Sequence, residues 1–144
     1  VDFFAGSSSI YCDVVIGNRN LVAQSERSSL RRKVLGWCFN RLARLILGLP
    51  YRDTQAGLKA FRAEAAHALL ARQRIFGFGF DAELLFIAKR LGLTTHEIPA
   101  RVLDDHNYKT GKVKLLKDSL WMLGDLLLIR LNGAQGFYNP TAES

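Results

Sequence analysis

Three carboxylates are placed where they can do chemistry: Asp53, Asp81 and Glu83. Asp53 sits in a polar loop before Gly57, a setting that also suits an Asx-turn. Asp81 and Glu83 follow the run Phe76-Gly-Phe-Gly-Phe80, where a helix is expected to start. There Asp81 can cap the helix and Glu83 can complement its dipole, or the pair can do acid–base work. The cations form a second set. Arg19 follows a strand end, where α/β sheets open their ligand crevices. Arg31 and Arg32 fall in the first turn of a predicted helix, an unfavourable place for positive charge. That placement points to an anion shared with the helix N-terminus, or to a plain solvated face. Lys109, Lys112 and Lys114 precede an apolar segment, a pattern found at membrane surfaces.

Other chemistries find less support. Asp104-Asp105-His106 offers three possible metal ligands in a row, which more often make a solvated loop. His67 and His96 have no partner at ligand spacing and read as structural. There is no Gly-x-Ser-x-Gly elbow, no Walker A loop and no Gly-x-Gly-x-x-Gly opening a helix. Cys12 and Cys38 match no metal spacing and read as structural thiols in a reducing compartment.

These residues need a scaffold, and the composition allows one. The chain has 144 residues, enough for one domain or part of one. Hydrophobic residues are 49% and charged residues 23%, which excludes a disordered tail or a collagen-like repeat. No stretch of about 20 uncharged apolar residues is present, so no spanning helix is expected. The formal net charge is +7, from 20 Lys and Arg against 13 Asp and Glu. Such a surplus favours an anionic partner: nucleic acid, phosphate or acidic lipid.

The apolar run Asp13–Gly17 predicts a buried strand closed by a turn. Leu30, Val34, Leu35, Cys38, Leu42, Leu45, Ile46 and Leu49 recur at helical spacing until Gly48 and Pro50 stop them. A loop then feeds a short strand near Lys59, and residues 63–71 read as helical. Asp81 is expected at the N-cap of the next helix, which carries Leu84, Leu85, Ala88 and Leu91 and stops at Gly92. Thr94–Leu103 reads as a strand, with Pro99 implying an incompletely paired edge. Residues 115–131 form a last helix, apolar around most of its circumference, that suits either core burial or a membrane surface. Residues 132–144 read as a flexible tail. Strands alternating with helices argue for an α/β layered domain over residues 1–131. Three strands are few for an open sheet, so part of a larger domain is expected.

Four segments, in order, resemble one family. Asp13-Val-Val-Ile-Gly-Asn-Arg19 resembles the Asp-Val-Val-Ile-Gly-Ser-Arg segment of family 2 glycosyltransferases acting on polyprenyl phosphates. Arg52-Asp-Thr-Gln-Ala-Gly-Leu-Lys59 resembles their Arg-Asp-Thr-Gln-Cys-Gly-Phe-Lys motif. Gly79-Phe-Asp-Ala-Glu-Leu-Leu85 resembles their Phe-Asp-Val-Glu-Leu-Leu motif. Ile98-Pro-Ala-Arg101 and the basic loop into Asp118-Ser-Leu120 are similar to the end of the same domain.

The resemblance implies a GT-A fold, of which this chain is the C-terminal, acceptor-side part. It implies transfer of a sugar from a nucleotide sugar to a polyprenyl or dolichyl phosphate, peripherally at the cytoplasmic face of a membrane. The Asp-Thr-Gln wording is closest to the dolichyl-phosphate glucosyltransferase branch, which implies UDP-glucose; mannose from GDP-mannose is the alternative. By the same resemblance Arg19, Arg32 and Lys112 hold the acceptor phosphate. Asp53, Gln55, Gly57 and Lys59 lie near the donor sugar, and Asp81, Glu83 and Asp53 are the catalytic candidates. Gly36 replaces a serine common in relatives. The donor half, whose Asp-x-Asp motif holds Mg²⁺ or Mn²⁺, is expected outside this chain, which starts at Val1 with no signal peptide before its first strand. A competing class is a non-catalytic basic module for anions, lipid or nucleic acid, although no nucleic-acid motif occurs and none is expected as partner. Residues 1–144 alone are therefore expected to give negligible transfer of labelled sugar to a polyprenyl phosphate; robust turnover would refute this.

Overall fold

The computed structural model describes residues 12–18, 30–77, 79–100 and 115–140, with side chains from Val34 in the first helix and from Leu120 in the last. Among these, three strands and four helices follow in the order β1 (Val14–Asn18), α1 (Leu30–Leu47), β2 (Lys59–Phe61), α2 (Ala63–Leu70), α3 (Phe80–Arg90), β3 (Thr95–Pro99) and α4 (Leu115–Ala134). The α/β expectation holds. β1 is the middle strand, antiparallel to β2 and parallel to β3.

The middle position explains the composition of β1. A strand paired on both sides and covered on both faces tolerates no alternation with polar residues. All five residues of Val14–Asn18 are buried. β3 is an edge strand of this sheet, which is where Pro99 fits, since it has no N–H to give a further neighbour. Of the expected strand Thr94–Leu103, Thr95–Pro99 is strand and residues 101–103 lie outside the described residues, as does the rest of 101–114.

α3 is the centre of the helical layer. Its apolar spacing predicts one buried face, yet seven consecutive residues, Ala82–Ala88, are buried. α2 and α4 pack against it, and Val14, Ile16, Leu47 and Leu69 belong to the same core. The helix stops in a Schellman turn, with Leu93 N–H on Ala88 O at 3.0 Å and Gly92 N–H on Lys89 O at 3.2 Å.

Residues 132–140, expected as part of a flexible tail, pack onto the domain. α4 continues to Ala134, and Gly136 at φ +84° reverses the chain, a conformation open to glycine without strain. The reversal carries Tyr138 back into the core, where it is fully buried and meets Phe86 edge-on at 5.9 Å. Arg72 and Arg90 bond Asn139, and Arg74 stacks on the Phe137 ring at 4.0 Å. The buried ring acts together with the Phe137 and Asn139 contacts to offset the entropy of ordering the turn. Residues 141–144 lie outside the described part.

The sheet is closed at its head by Asp13. Its carboxylate accepts hydrogen bonds from Thr94 N–H at 2.9 Å and from the Thr94 hydroxyl at 2.8 Å. Its own N–H and C=O bond Thr94 and Arg62, so one residue ties β1 to both neighbours. The backbone and hydroxyl donors of Thr94 hold the Asp13 carboxyl below its ordinary value of 3.8. A lowered folded-state pKa stabilises the fold above the unfolded value and ceases to do so as pH falls through the folded one. In urea titrations at falling pH, Asp13→Asn should therefore flatten the loss of stability below pH 3.8, while wild type shows it in full.

Candidate active site

The second and third sequence motifs meet in space. Lys59 opens β2, and Asp81 lies in the first turn of α3. The Lys59 ammonium reaches the Asp81 carboxylate at 2.9 Å and also donates to Ala56 O. Lys59 keeps only 6% of its side chain exposed, whereas Asp81 keeps 39%. Asp81 is thus no N-cap. That position belongs to Gly79, without a side-chain bond, because the carboxylate turns to the ammonium opposite.

Gly79 owes its identity to α4. Its N–H donates to Asp125 Oδ2 at 3.0 Å, and a Cβ there would come within 2.6 Å of Asp125 Cβ. The helix start carrying Asp81 is therefore pressed directly onto α4.

The ion pair borders a pocket of about 270 Å³. Gly57, Lys59 and Asp81 form its polar side; Phe61, Ala66, Leu69, Leu70, Phe80 and Leu84 form the apolar wall. A cavity with one charged pair and mostly apolar lining is the usual form of a small-ligand site.

The loop before Gly57 is held from two sides. Asn40 of α1 donates to Arg52 O at 2.6 Å and accepts from the Thr54 hydroxyl at 2.9 Å and the Thr54 N–H at 3.2 Å. Glu97 of β3 accepts from Arg52 N–H at 2.8 Å, and Tyr51 and Thr95 hydroxyls bond at 3.2 Å. Asp53 is buried in this loop and Gln55 half-buried; neither lines the pocket.

Glu83 is placed differently from the expectation that paired it with Asp81. Two residues along a helix is more than half a turn, so the two carboxylates point apart. Glu83 is completely buried, and its oxygens accept from Arg74 N–H, Ile75 N–H at 2.8 Å and the Tyr138 hydroxyl at 2.6 Å. Burial, followed by this bond to Glu83, pushes the Tyr138 phenol up, so it stays a donor. Glu83 anchors the loop before α3 instead of facing the pocket.

Arg32 lies in the first turn of α1. Arg19 and Lys112 lie outside the described residues, as do Asp104, Asp105 and His106. Among the described residues no three His, Cys, Asp or Glu side chains converge as metal ligands. Asp81 is paired with Lys59, and Glu83 accepts from backbone N–H groups and the Tyr138 hydroxyl.

The sequence reading missed Asn40, Glu97, Asp125 and Tyr138. Asn40 and Asp125 carried a faint signal, as polar residues interrupting helices with strong apolar patterns. Glu97 and Tyr138 carried none.

No protein-family model matches the chain, and no solved structure matches it significantly. Characterised proteins do. The chain is 31% identical over 134 residues to a dolichyl-phosphate beta-glucosyltransferase of Saccharomyces cerevisiae, covering 90% of this chain and 39% of the relative. It is 33% identical over 89 residues to an undecaprenyl-phosphate mannosyltransferase of Micrococcus luteus, covering 60% of this chain and 37% of the relative. A dolichyl-phosphate beta-glucosyltransferase of Trichomonas vaginalis is 32% identical over 110 residues, covering 73% of this chain and 33% of the relative. The chain thus spans less than two fifths of the length of each of these relatives.

The ion pair makes a directional prediction. Asp81→Asn leaves an almost buried ammonium without its counter-charge and should destabilise the fold by about 1–3 kcal/mol. Lys59→Met leaves a carboxylate that water can reach and should cost less. Urea denaturation of the two variants checks the order.

Proposed function

We propose that this chain, a relative of family 2 glycosyltransferases by homology to part of them, is the acceptor-side portion of an enzyme that moves a sugar from a nucleotide sugar to a polyprenyl phosphate. The observation that carries this reading is the meeting of two sequence-distant motif segments, through Lys59 and Asp81, at the polar rim of one mostly apolar pocket. In this reaction a phosphate oxygen of the lipid attacks the anomeric carbon. The new C–O bond forms as the bond to the nucleoside diphosphate breaks, and the diphosphate leaves with the electron pair.

A lipid phosphate is already anionic near neutral pH. It needs cations that hold and orient it more than it needs a strong base. Arg19, Arg32 and Lys112 are the proposed acceptor clamp. Asp53, Gln55, Gly57 and Lys59 are proposed beside the donor sugar. Asp81 is proposed to orient the reacting groups while Lys59 holds its carboxylate in place, and Glu83 acts as a positioning residue behind α3. The names of two relatives favour glucose, hence UDP-glucose; one favours mannose, hence GDP-mannose. Nucleotide binding, with any divalent ion on the diphosphate, is assigned to a part of the protein outside this chain. The site of action is the cytoplasmic face of a membrane, with peripheral attachment; among the described residues no helix is long and apolar enough to cross one.

The test is transfer of labelled glucose from UDP-glucose, and of labelled mannose from GDP-mannose, to a polyprenyl phosphate by the full-length protein. Glucose transfer is expected, and Asp81→Asn should lower kcat by about a hundredfold or more. No transfer from either donor would refute the reading.

A further inference from the structure

Apolar packing gives α4 little to fix its rotation. Leu126 and Ile129 are buried, yet Leu120, Leu127, Leu128 and Leu131 lie on its exposed side, so apolar side chains surround it. Such a helix can turn or slide against its neighbour at little cost, and a polar residue at a core position is what sets a register. Two polar residues flank the buried Ile129 on its own stripe of α4: Asp125 on the turn before it and Asn132 on the turn after it. Asp125 is half-buried and Asn132 buried.

Both lead to the first turn of α3. Asp125 Oδ2 accepts from Gly79 N–H at 3.0 Å. Asn132 Nδ2 donates to the Tyr138 hydroxyl at 3.1 Å, and that hydroxyl donates to Glu83 Oε1 at 2.6 Å. Gly79 and Glu83 are the two ends of one helical bond, Glu83 N–H on Gly79 O at 2.9 Å. Asp81 lies between them in the chain, on the opposite side of the helix, with its carboxylate on Lys59. The helices approach closely at two points. A Cβ on Gly79 would come within 2.6 Å of Asp125 Cβ, and one on Gly133 within 2.7 Å of the Phe86 ring. Hydrogen bonds are directional where apolar contact is not, so these bonds fix the rotation of that first turn. We propose that Asp125 and Tyr138 are positioning residues of the pocket: they grip the first turn of α3 at Gly79 and Glu83 and thereby hold Asp81 toward Lys59. The proposal rests on the sugar-transfer reading above only for its kinetic consequence.

The test uses the full-length protein. The coupling between Lys59 and Asp81 is measured by urea unfolding of wild type, Lys59→Met, Asp81→Asn and the double variant, then again on Asp125→Ala and Tyr138→Phe backgrounds. On each background the coupling should fall by about half or more. On Asp125→Asn, which keeps an acceptor for Gly79 N–H, most of it should remain. Tyr138→Phe keeps the buried ring and its contact with Phe86, so it carries the test if Asp125→Ala does not fold. A role in stability alone would lower every unfolding midpoint and leave the coupling as in wild type, and that result would overturn the proposal. In transfer assays Asp125→Ala and Tyr138→Phe should each lower kcat about tenfold or more, with KM for the nucleotide sugar unchanged. A raised KM at unchanged kcat would also overturn it. The unfolding cycle contains no substrate, so a failure of the clamp is separate from a failure to transfer sugar.

Discussion

The buried carboxylate of Glu83 is the constraint on which the site depends. A carboxyl group with no exposure is tolerated only if its oxygens are met by hydrogen-bond donors, since a buried polar group left unpaired costs several kcal/mol. Here the donors come from two other segments: the backbone at Arg74 and Ile75, and the Tyr138 hydroxyl after α4. The carboxylate therefore fixes the loop entering α3, the start of α3 and the turn after α4 relative to one another. Asn132 adds a bond to the same hydroxyl from inside α4. Asp81 is two residues from this anchor, so its direction toward Lys59 is inherited from a bond network on the opposite side of the helix.

The other half of the pocket is held by a parallel device. The Arg52–Thr54 loop has no regular ladder to satisfy its backbone groups, and side chains from α1 and β3 take their place. Asn40 and Glu97 thus do for the loop what a neighbouring strand would do for a strand. Both halves then meet through a single ion pair between β2 and α3. A buried or half-buried ion pair contributes little net stability, because desolvation offsets the attraction. Its value here is geometric: it brings one ammonium and one carboxylate to the polar rim of an otherwise apolar pocket.

The outer surface follows a different logic from the pocket. α1 and α4 each have an inner stripe that fills the core and an outer stripe that water does not favour. A free-standing water-facing helix would carry charge on that outer stripe. Apolar outer faces, arginines and the absence of outward acidic side chains in their described part set this surface apart from the charged exterior of an ordinary small domain.

Local pattern by itself determined a good deal of this protein. The uninterrupted apolar run at Val14–Ile16 identified the central strand, and helical spacing with glycine stops located α1 and α3. These are short-range effects of side-chain period and backbone freedom. The ordered motifs from Asp13 to Leu120 carried the family, because residue identity alone conveys them. What the tertiary structure decided were pairings between residues far apart in the chain. Asp81 looked like a cap until Lys59, 22 residues away, proved its partner. Glu83 looked like a second site carboxylate until burial by Tyr138, 55 residues on, made it an anchor. The segment after Ala134 looked like a tail because polar residues and glycines are the only signal a local reading sees. Which side of α4 met the core was equally hidden, since leucines around the whole circumference give no period. Only the helix and sheet placed beside it could choose a side.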